Sequence, residues 1–318
     1  MYPGSGHAYH GLSSTAWADS MTSQTGRPGR RMAPRVDLGQ YLAAADRVTE
    51  ALGGVGRLGV AYSGGVDSAL LLALAIRALG SDRVVGVLGM SASLAASERL
   101  AAYEVAAFIG ASVVEVATYE GEREDYRVNG PDRCYHCKDE LFTRIETEVV
   151  RQCDLDAVAY GENADDARRP DRPGSLAARR HGVLRPLAEA GLGKADVRGL
   201  ARVLRLPCAD KPATPCLASR IPHFERVEPH KLDQVEQAEA AVSRLGFVDF
   251  RVRHHGDVAR IELSHADLLR AARDPVRKQL LDAVRAAGFR FVALDMAGLQ
   301  SGAFTLPLVT GTRSGTDA

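Results

Sequence analysis

No stretch of this sequence approaches the roughly 20 consecutive apolar residues that cross a bilayer, so a membrane-spanning helix is not expected. Nor is there an excess of charge of either sign: Lys and Arg total 40, and Asp and Glu total 40. The whole chain therefore offers no electrostatic case for binding nucleic acid or an anionic membrane. Cysteine is scarce and odd in number, five residues with two of them in a C-x-x-C. That does not suit a secreted disulfide framework, and a reducing cytoplasm is the expected location. Residues 1–34 lack apolar periodicity and the apolar core of a signal peptide. They are rich in Gly, Ser, Thr and Pro and read as a disordered tail. The single tryptophan, Trp17, falls in this tail, and Met32 is an alternative start.

What is present is ordinary for a globular protein, with 46% hydrophobic and 25% charged residues over 318 positions. One stretch organises the rest. Leu58 to Tyr62 is a short apolar run suited to a buried parallel strand, followed by Ser63-Gly64-Gly65-Val66-Asp67-Ser68 and an apolar helix-forming segment to Leu79. A strand, a Gly-Gly turn and a helix start aim backbone N–H groups and the positive helix end at one place. The Ser63 and Ser68 hydroxyls add donors. Asp67 repels phosphate unless a cation intervenes, which points to Mg²⁺ or to substrate positioning. The Walker pattern G-x-x-x-x-G-K-[ST] is absent.

Strand and helix then alternate. A helix is expected over 37–52, strands over 83–89 and 111–116, and a helix over 93–109. This predicts an α/β fold, a doubly wound parallel sheet whose ligands sit beyond the carboxyl ends of the strands. A helix led by Cys134-Tyr-His136-Cys137 runs to about Arg151. Its thiols are read either as a soft-metal site with lowered pKa values or as structural residues. A strand at 157–160 ends in Gly161 and a polar cluster, Asn163, Asp165 and Asp166. There Asp165 or Asp166 either helps hold Mg²⁺ or caps the next helix. Residues 167–182 read as a mobile loop with a basic patch of Arg168, Arg169, Arg172, Arg179 and Arg180. After a helix over 193–204, four prolines between Pro207 and Pro222 frame Cys216 beside Lys211 and Arg220, cations that favour a thiolate. The remainder reads as a smaller α+β unit with helices over 228–245 and 265–287, the latter broken near Pro275. Its strands lie over 247–253, 257–263 and 289–294. On them Arg251 and Arg253 share one face, as do Arg260 and Glu262; with Asp295 these either face a site or form surface ion pairs.

The Ser-Gly-Gly-x-Asp-Ser signature resembles that of the PP-loop ATP pyrophosphatases, adenine nucleotide alpha hydrolase-like folds. Over roughly residues 36–303 the chain resembles one of their families, the ATP-dependent sacrificial sulfur transferases of nickel-pincer nucleotide biosynthesis in lactate racemase maturation. The matching residues are 63–68, Arg133 to Lys138, Gly161 to Asp166, Asp210 to Pro222 and Arg251 to Glu262. The chain departs from the family pattern at Cys208, where a tryptophan is expected, and at Gln300, where an arginine is usual.

The resemblance implies a PP-loop domain over 36–222 and a C-terminal substrate and oligomerisation unit over 223–311. It implies ATP contacts at Ser63, Gly64, Gly65, Asp67, Ser68, Met90, Ser91 and Gly161. Mg²⁺ would sit at Asp67 and Asp165, and the substrate at Arg251, Arg253, Arg260, Glu262 and Asp295. Cys216, Asp67 and Arg220 would be catalytic. The implied reaction adenylates a carboxylate of a pyridinium biscarboxylate mononucleotide, releasing pyrophosphate. Sulfur from Cys216 then displaces AMP, giving a thiocarboxylate and dehydroalanine. A [4Fe–4S] cluster on Cys134, Cys137 and Cys216 is the alternative sulfur source. The implied partners are the nucleotide substrate, a downstream nickel-insertion protein and further copies of the chain. Rival readings are a tRNA thiolase, an amide-forming ligase, or a non-enzymatic metal-binding adaptor. The first lacks a basic RNA-binding surface, and the second lacks a glutaminase unit.

Overall fold

The computed structural model describes residues 38–169 and 173–300. The tail over 1–34, Met32, Trp17, Arg172 and residues 301–311 lie outside the described residues. Helix α1 (Leu38–Ala51) leads into β1 (Leu58–Tyr62) and α2 (Val66–Leu79). These are followed by β2 (Val84–Met90), α3 (Ala96–Ile109) and β3 (Ser112–Ala117). Then come α4 (Arg133–Arg144), β4 (Ala157–Tyr160), α5 (Gly174–Arg180) and α6 (Lys194–Val203). The last third holds α7 (Pro229–Arg244), β5 (Phe250–His255), β6 (Val258–Leu263), α8 (His265–Ala271), α9 (Val276–Ala286) and β7 (Phe291–Leu294).

The main sheet has the order β3-β2-β1-β4, all parallel, with Val60 paired to Gly86 on one side and to Ala159 on the other. The expected α/β class with a central parallel sheet is what is found. Helix α2 is its keystone. Leu70, Leu71, Leu72 and Leu74 are all fully buried, and only Arg77 of the helix is exposed, because its apolar residues cover most of its circumference. Each such leucine contributes roughly 1.5–3 kcal/mol through burial. The second sheet, β5-β6-β7, pairs β5 and β6 antiparallel and β6 and β7 parallel. It closes over its own buried cluster with Val235, Val242, Phe247, Val252, Ile261 and Phe289.

Two sequence expectations change. The stretch 167–182 contains helix α5, whose Ala177 and Ala178 are fully buried. A small-residue face against α4 leaves little apolar signal in the sequence. Cys208 is buried in the main core beside Leu206 and Ala209, so the cysteine that stands where a tryptophan was expected is packed as an apolar residue.

Two glycines shape the carboxyl edge of the sheet. Gly64 has φ +73°, a left-handed conformation, and a Cβ there would lie 2.7 Å from the Ala102 Cα. A Cβ on Gly161 would lie 2.7 Å from the backbone of Asp67 and Ser68. The end of β4 can therefore press directly on the start of α2.

Candidate active site

A cavity of about 710 Å³ opens at the carboxyl ends of β1 and β4, the place the topology predicts. Ser63, Gly65, Asp67 and Ser68 form part of its wall. The loop holds its own shape: Ser63 N donates to Ser68 Oγ at 3.2 Å, and Ser68 Oγ donates to the Gly65 carbonyl at 3.1 Å. Helix α2 begins after Gly65 with no side chain capping its first N–H groups, which leaves them available to an anion. Asp67, in the first turn, accepts from Asn163 Nδ2 at 3.0 Å and is ion-paired with Lys194 at the start of α6. Asn163 Nδ2 also donates to Asp166 Oδ2 at 2.9 Å. Gly161 and Asp166 line the cavity, whereas Met90 and Ser91, at the end of β2, do not. Asp165 accepts from Lys194 N at 2.7 Å and from Arg168, and it does not line the cavity.

Across the cavity lie the cysteines. Cys216 is exposed and precedes a short turn, Leu217–Arg220, that is fixed by Leu217 N donating to the Ser93 carbonyl at 2.9 Å. Cys134 is exposed on the same cavity, in the first turn of α4, while Cys137 is half-buried against the second core. His136 turns away from them to Asp132, at 3.1 Å. The cations expected beside Cys216 are already engaged. Lys211 Nζ donates to Glu98 Oε2 at 2.7 Å, and Arg220 clasps Glu239 through Nε at 2.9 Å and Nη2 at 3.1 Å. Arg220 also donates to the Pro215 carbonyl at 2.7 Å, so it holds the Cys216 loop.

The pKa values of Cys216 and Cys137 run opposite to the sequence expectation. Although Cys216 reaches solvent, protein surrounds it within the cleft, and desolvation pushes its pKa up against the pull of Arg133. Cys137 is pushed well up by burial and then by Glu120, Cys216 and Cys134.

Arg133 is a residue that the sequence reading quoted without giving it a role. It is 7% exposed, lines the cavity, and directly precedes Cys134. Burial opposes its charge, but Cys216, Cys134, Tyr126 and Cys137 outweigh that and raise its pKa. Asn129, fully buried with φ +57°, is the hub beside it. Asn129 Nδ2 donates to the carbonyls of Pro222 and Glu225 at 2.7 and 2.8 Å. Only the fold brings these positions, more than ninety residues apart, together.

The arginines of the second sheet divide. Arg251 and Arg253 line the cavity, while Arg260, Glu262 and Asp295 stand behind them. Arg253 is neutralised by Glu262 through Nε and Nη2, each at 2.9 Å. Arg260 pairs with Glu262 and Asp295. Arg251 donates to the Ala213 carbonyl at 3.1 Å, and its buried Nη1 has no hydrogen-bond partner. Burial, Arg220 and Arg253 lower its pKa. The charge of Arg251 is thus only partly compensated at the wall of the cavity that it lines.

No family model matches the chain. An uncharacterized protein of Synechocystis is 37% identical over 257 residues, covering 81% of this chain and 95% of that protein. The pyridinium-3,5-bisthiocarboxylic acid mononucleotide synthase of Lactiplantibacillus plantarum is 36% identical over 250 residues, covering 77% of this chain and 88% of the synthase. The chain belongs to the family of that synthase. An uncharacterized protein of Methanocaldococcus jannaschii is 27% identical over 168 residues, covering 53% of this chain and 64% of its own.

For this member of the synthase family, the fit of metal centres can be tested on the side chains. Among the described residues no group of three His, Cys, Asp or Glu side chains is gathered to hold a metal ion. Three thiols suit an iron–sulfur cluster chemically, but Cys137 faces the second core while Cys134 and Cys216 open on the cavity. As they stand they do not form a ligand set. Asp67 is likewise occupied by Lys194 and Asn163, and Asp165 caps the start of α6. Further cavity residues not assigned roles from the sequence are Lys138, 4.3 Å above the Tyr160 ring, and the buried Glu162, which accepts from Ser175 and pairs with Arg185.

Proposed function

We propose that the chain is an ATP-dependent sulfur transferase that converts a carboxylate of pyridinium-3,5-biscarboxylic acid mononucleotide into a thiocarboxylate. The observation that carries this reading is that one cavity holds the Ser63–Ser68 loop, the thiol of Cys216 and the only partly compensated Arg251. The triphosphate lies against the loop and the first turn of α2, where N–H groups take up charge as pyrophosphate leaves. Lys194, already at Asp67, supplies a cation to the same place. Mg²⁺, when bound with ATP, adds charge neutralisation on the leaving group. Arg251, supported by Arg253, takes the phosphate of the mononucleotide.

The bonds balance in three stages. A carboxylate oxygen attacks the α-phosphorus of ATP, giving an acyl-adenylate and pyrophosphate. The Cys216 thiolate attacks the acyl carbon and AMP leaves, giving a thioester. Loss of the Cys216 Cα proton breaks its Cβ–S bond, leaving dehydroalanine on the chain and a thiocarboxylate in the product. The raised thiol pKa keeps Cys216 protonated in the free protein. Its proton must therefore leave before attack.

A second reading is favoured by one observation, that Cys134 opens on the same cavity as Cys216. On it Cys134, Cys137 and Cys216 would have to draw together to hold a [4Fe–4S] cluster that supplies the sulfur, and Cys216 would survive turnover. The sulfur-transfer reading is tested with Cys216→Ser. It should still release pyrophosphate in a manner dependent on the biscarboxylate, yet form no thiocarboxylate. Pyrophosphate release indifferent to the biscarboxylate would overturn the reading.

A further inference from the structure

Arg133, Arg220 and Arg253 each donate to a backbone carbonyl within three residues of Cys216, and they differ at one edge. The Nε–Nη2 edge of an arginine presents two parallel N–H groups that match the two oxygens of a carboxylate. In Arg220 this edge is filled by Glu239, and in Arg253 by Glu262. In Arg133 it is not. Arg133 spends Nη1 on Asn129 Oδ1 and on the Ala218 carbonyl at 2.9 Å. No hydrogen bond or ion pair to Nε or Nη2 is found among the described residues. These atoms are also not among the sealed, unpartnered polar atoms, so the edge keeps contact with solvent on a residue that lines the cavity.

The anchoring is as informative as the opening. Asn129 and the Ala218 carbonyl fix the guanidinium from behind, and Asn129 is itself held by the carbonyls of Pro222 and Glu225. A buried cation held rigidly, with its carboxylate-matching edge unfilled, is costly unless a ligand fills it. Ala218 lies two residues beyond Cys216 and Cys134 follows Arg133 directly. A group docked on this edge therefore sits among the cavity's exposed thiols. Asn129 fixes the distance between that edge and the Cys216 loop.

We infer that Arg133 is the specificity-determining contact for a substrate carboxyl group, binding it side-on through Nε and Nη2 beside Cys216. This rests on the sulfur-transfer reading and deepens it by assigning the carboxyl and phosphate ends of one substrate to two different guanidiniums, Arg133 and Arg251. A bidentate edge selects a planar carboxylate over a carboxamide, whose NH₂ group would face an N–H donor.

Two measurements test it on the full chain. In the first, wild-type protein is treated with phenylglyoxal and the Arg133 peptide is followed by mass spectrometry. Pyridinium-3,5-biscarboxylic acid mononucleotide should slow modification of Arg133 at least five-fold, and the corresponding biscarboxamide should not. Equal modification with and without the biscarboxylate overturns the assignment, whether or not the protein turns over. In the second, biscarboxylate-dependent pyrophosphate release is measured for wild type, Arg133→Lys and Arg133→Gln. KM for the biscarboxylate should rise more than ten-fold in Arg133→Gln and be partly rescued in Arg133→Lys, with KM for ATP within two-fold of wild type. Unchanged KM for the biscarboxylate, or equal losses toward both substrates, overturns it. A wild type that protects Arg133 but releases no pyrophosphate would sink the sulfur-transfer reading and leave the carboxylate contact standing.

Discussion

His254 shows how one side chain reports on its surroundings. It is 3% exposed on β5, with Nε2 3.1 Å from Gln234 Oε1 and its ring edge-on to Phe289 at 5.3 Å. Burial first, then Lys231, His230 and His255, hold its pKa down at about 4. A depressed histidine favours the fold in its neutral form. Its contribution is fully present above the ordinary histidine value of about 6.5 and is lost as pH falls through about 4. Between pH 7.5 and 5 this amounts to roughly 2 kcal/mol. Urea unfolding at the two pH values should show a loss smaller by that order in His254→Gln than in wild type. Identical losses would contradict the buried neutral ring. The same balance of burial against charge separates what was legible at residue scale from what was not. Ser63, Gly65, Asp67, Ser68, Gly161, Cys216, Arg251 and Arg253 were marked by motif and all line one cavity. Asn129, Arg133 and Lys194 gained no role from the sequence because their partners lie far along the chain. The pKa values of Cys216 and Cys137 depart from the sequence expectation because proximity to cations is visible in sequence and desolvation is not.

At the scale of elements, the Ser63–Ser68 loop depends on what presses against it. Gly161 ends β4, and a Cβ there would meet the carbonyl carbon of Asp67 and the nitrogen of Ser68, both at 2.7 Å. Those are backbone atoms and cannot rotate aside. Gly161→Ala should therefore cost about 1–3 kcal/mol of stability and weaken ATP binding more than ten-fold by shifting the start of α2. Isothermal titration with ATP and Mg²⁺ checks this, and wild-type affinity would show that β4 and the loop are independent. Elements with a strong period were readable: β1, α2, β2 and the helix break at Pro275 lie within a few residues of expectation. Helix α5 was not, since Gly174-Ser-Leu-Ala-Ala-Arg-Arg180 buries alanines and exposes Leu176. Its stability comes from packing on α4, which no local pattern records.

The whole molecule joins two buried clusters across the cavity. The Ser63–Ser68 loop adjoins the first, and Arg251 reaches over from the second to the carbonyl of Ala213 on the Cys216 loop. Cys216 thus shares one cavity with the Ser63–Ser68 loop and Arg251, on a loop pinned by Ser93, Glu98 and Glu239. That arrangement makes a single-use donor chemically reasonable, since the loop need not carry its sulfur anywhere. Peptide mass spectrometry across Cys216 tests this most directly, performed anaerobically before and after incubation with ATP, Mg²⁺ and the biscarboxylate mononucleotide. Conversion of Cys216 to dehydroalanine, one for each thiocarboxylate formed, is the expected result. Thiocarboxylate accumulating while Cys216 stays intact would contradict it and move the sulfur to a centre bound by Cys134, Cys137 and Cys216.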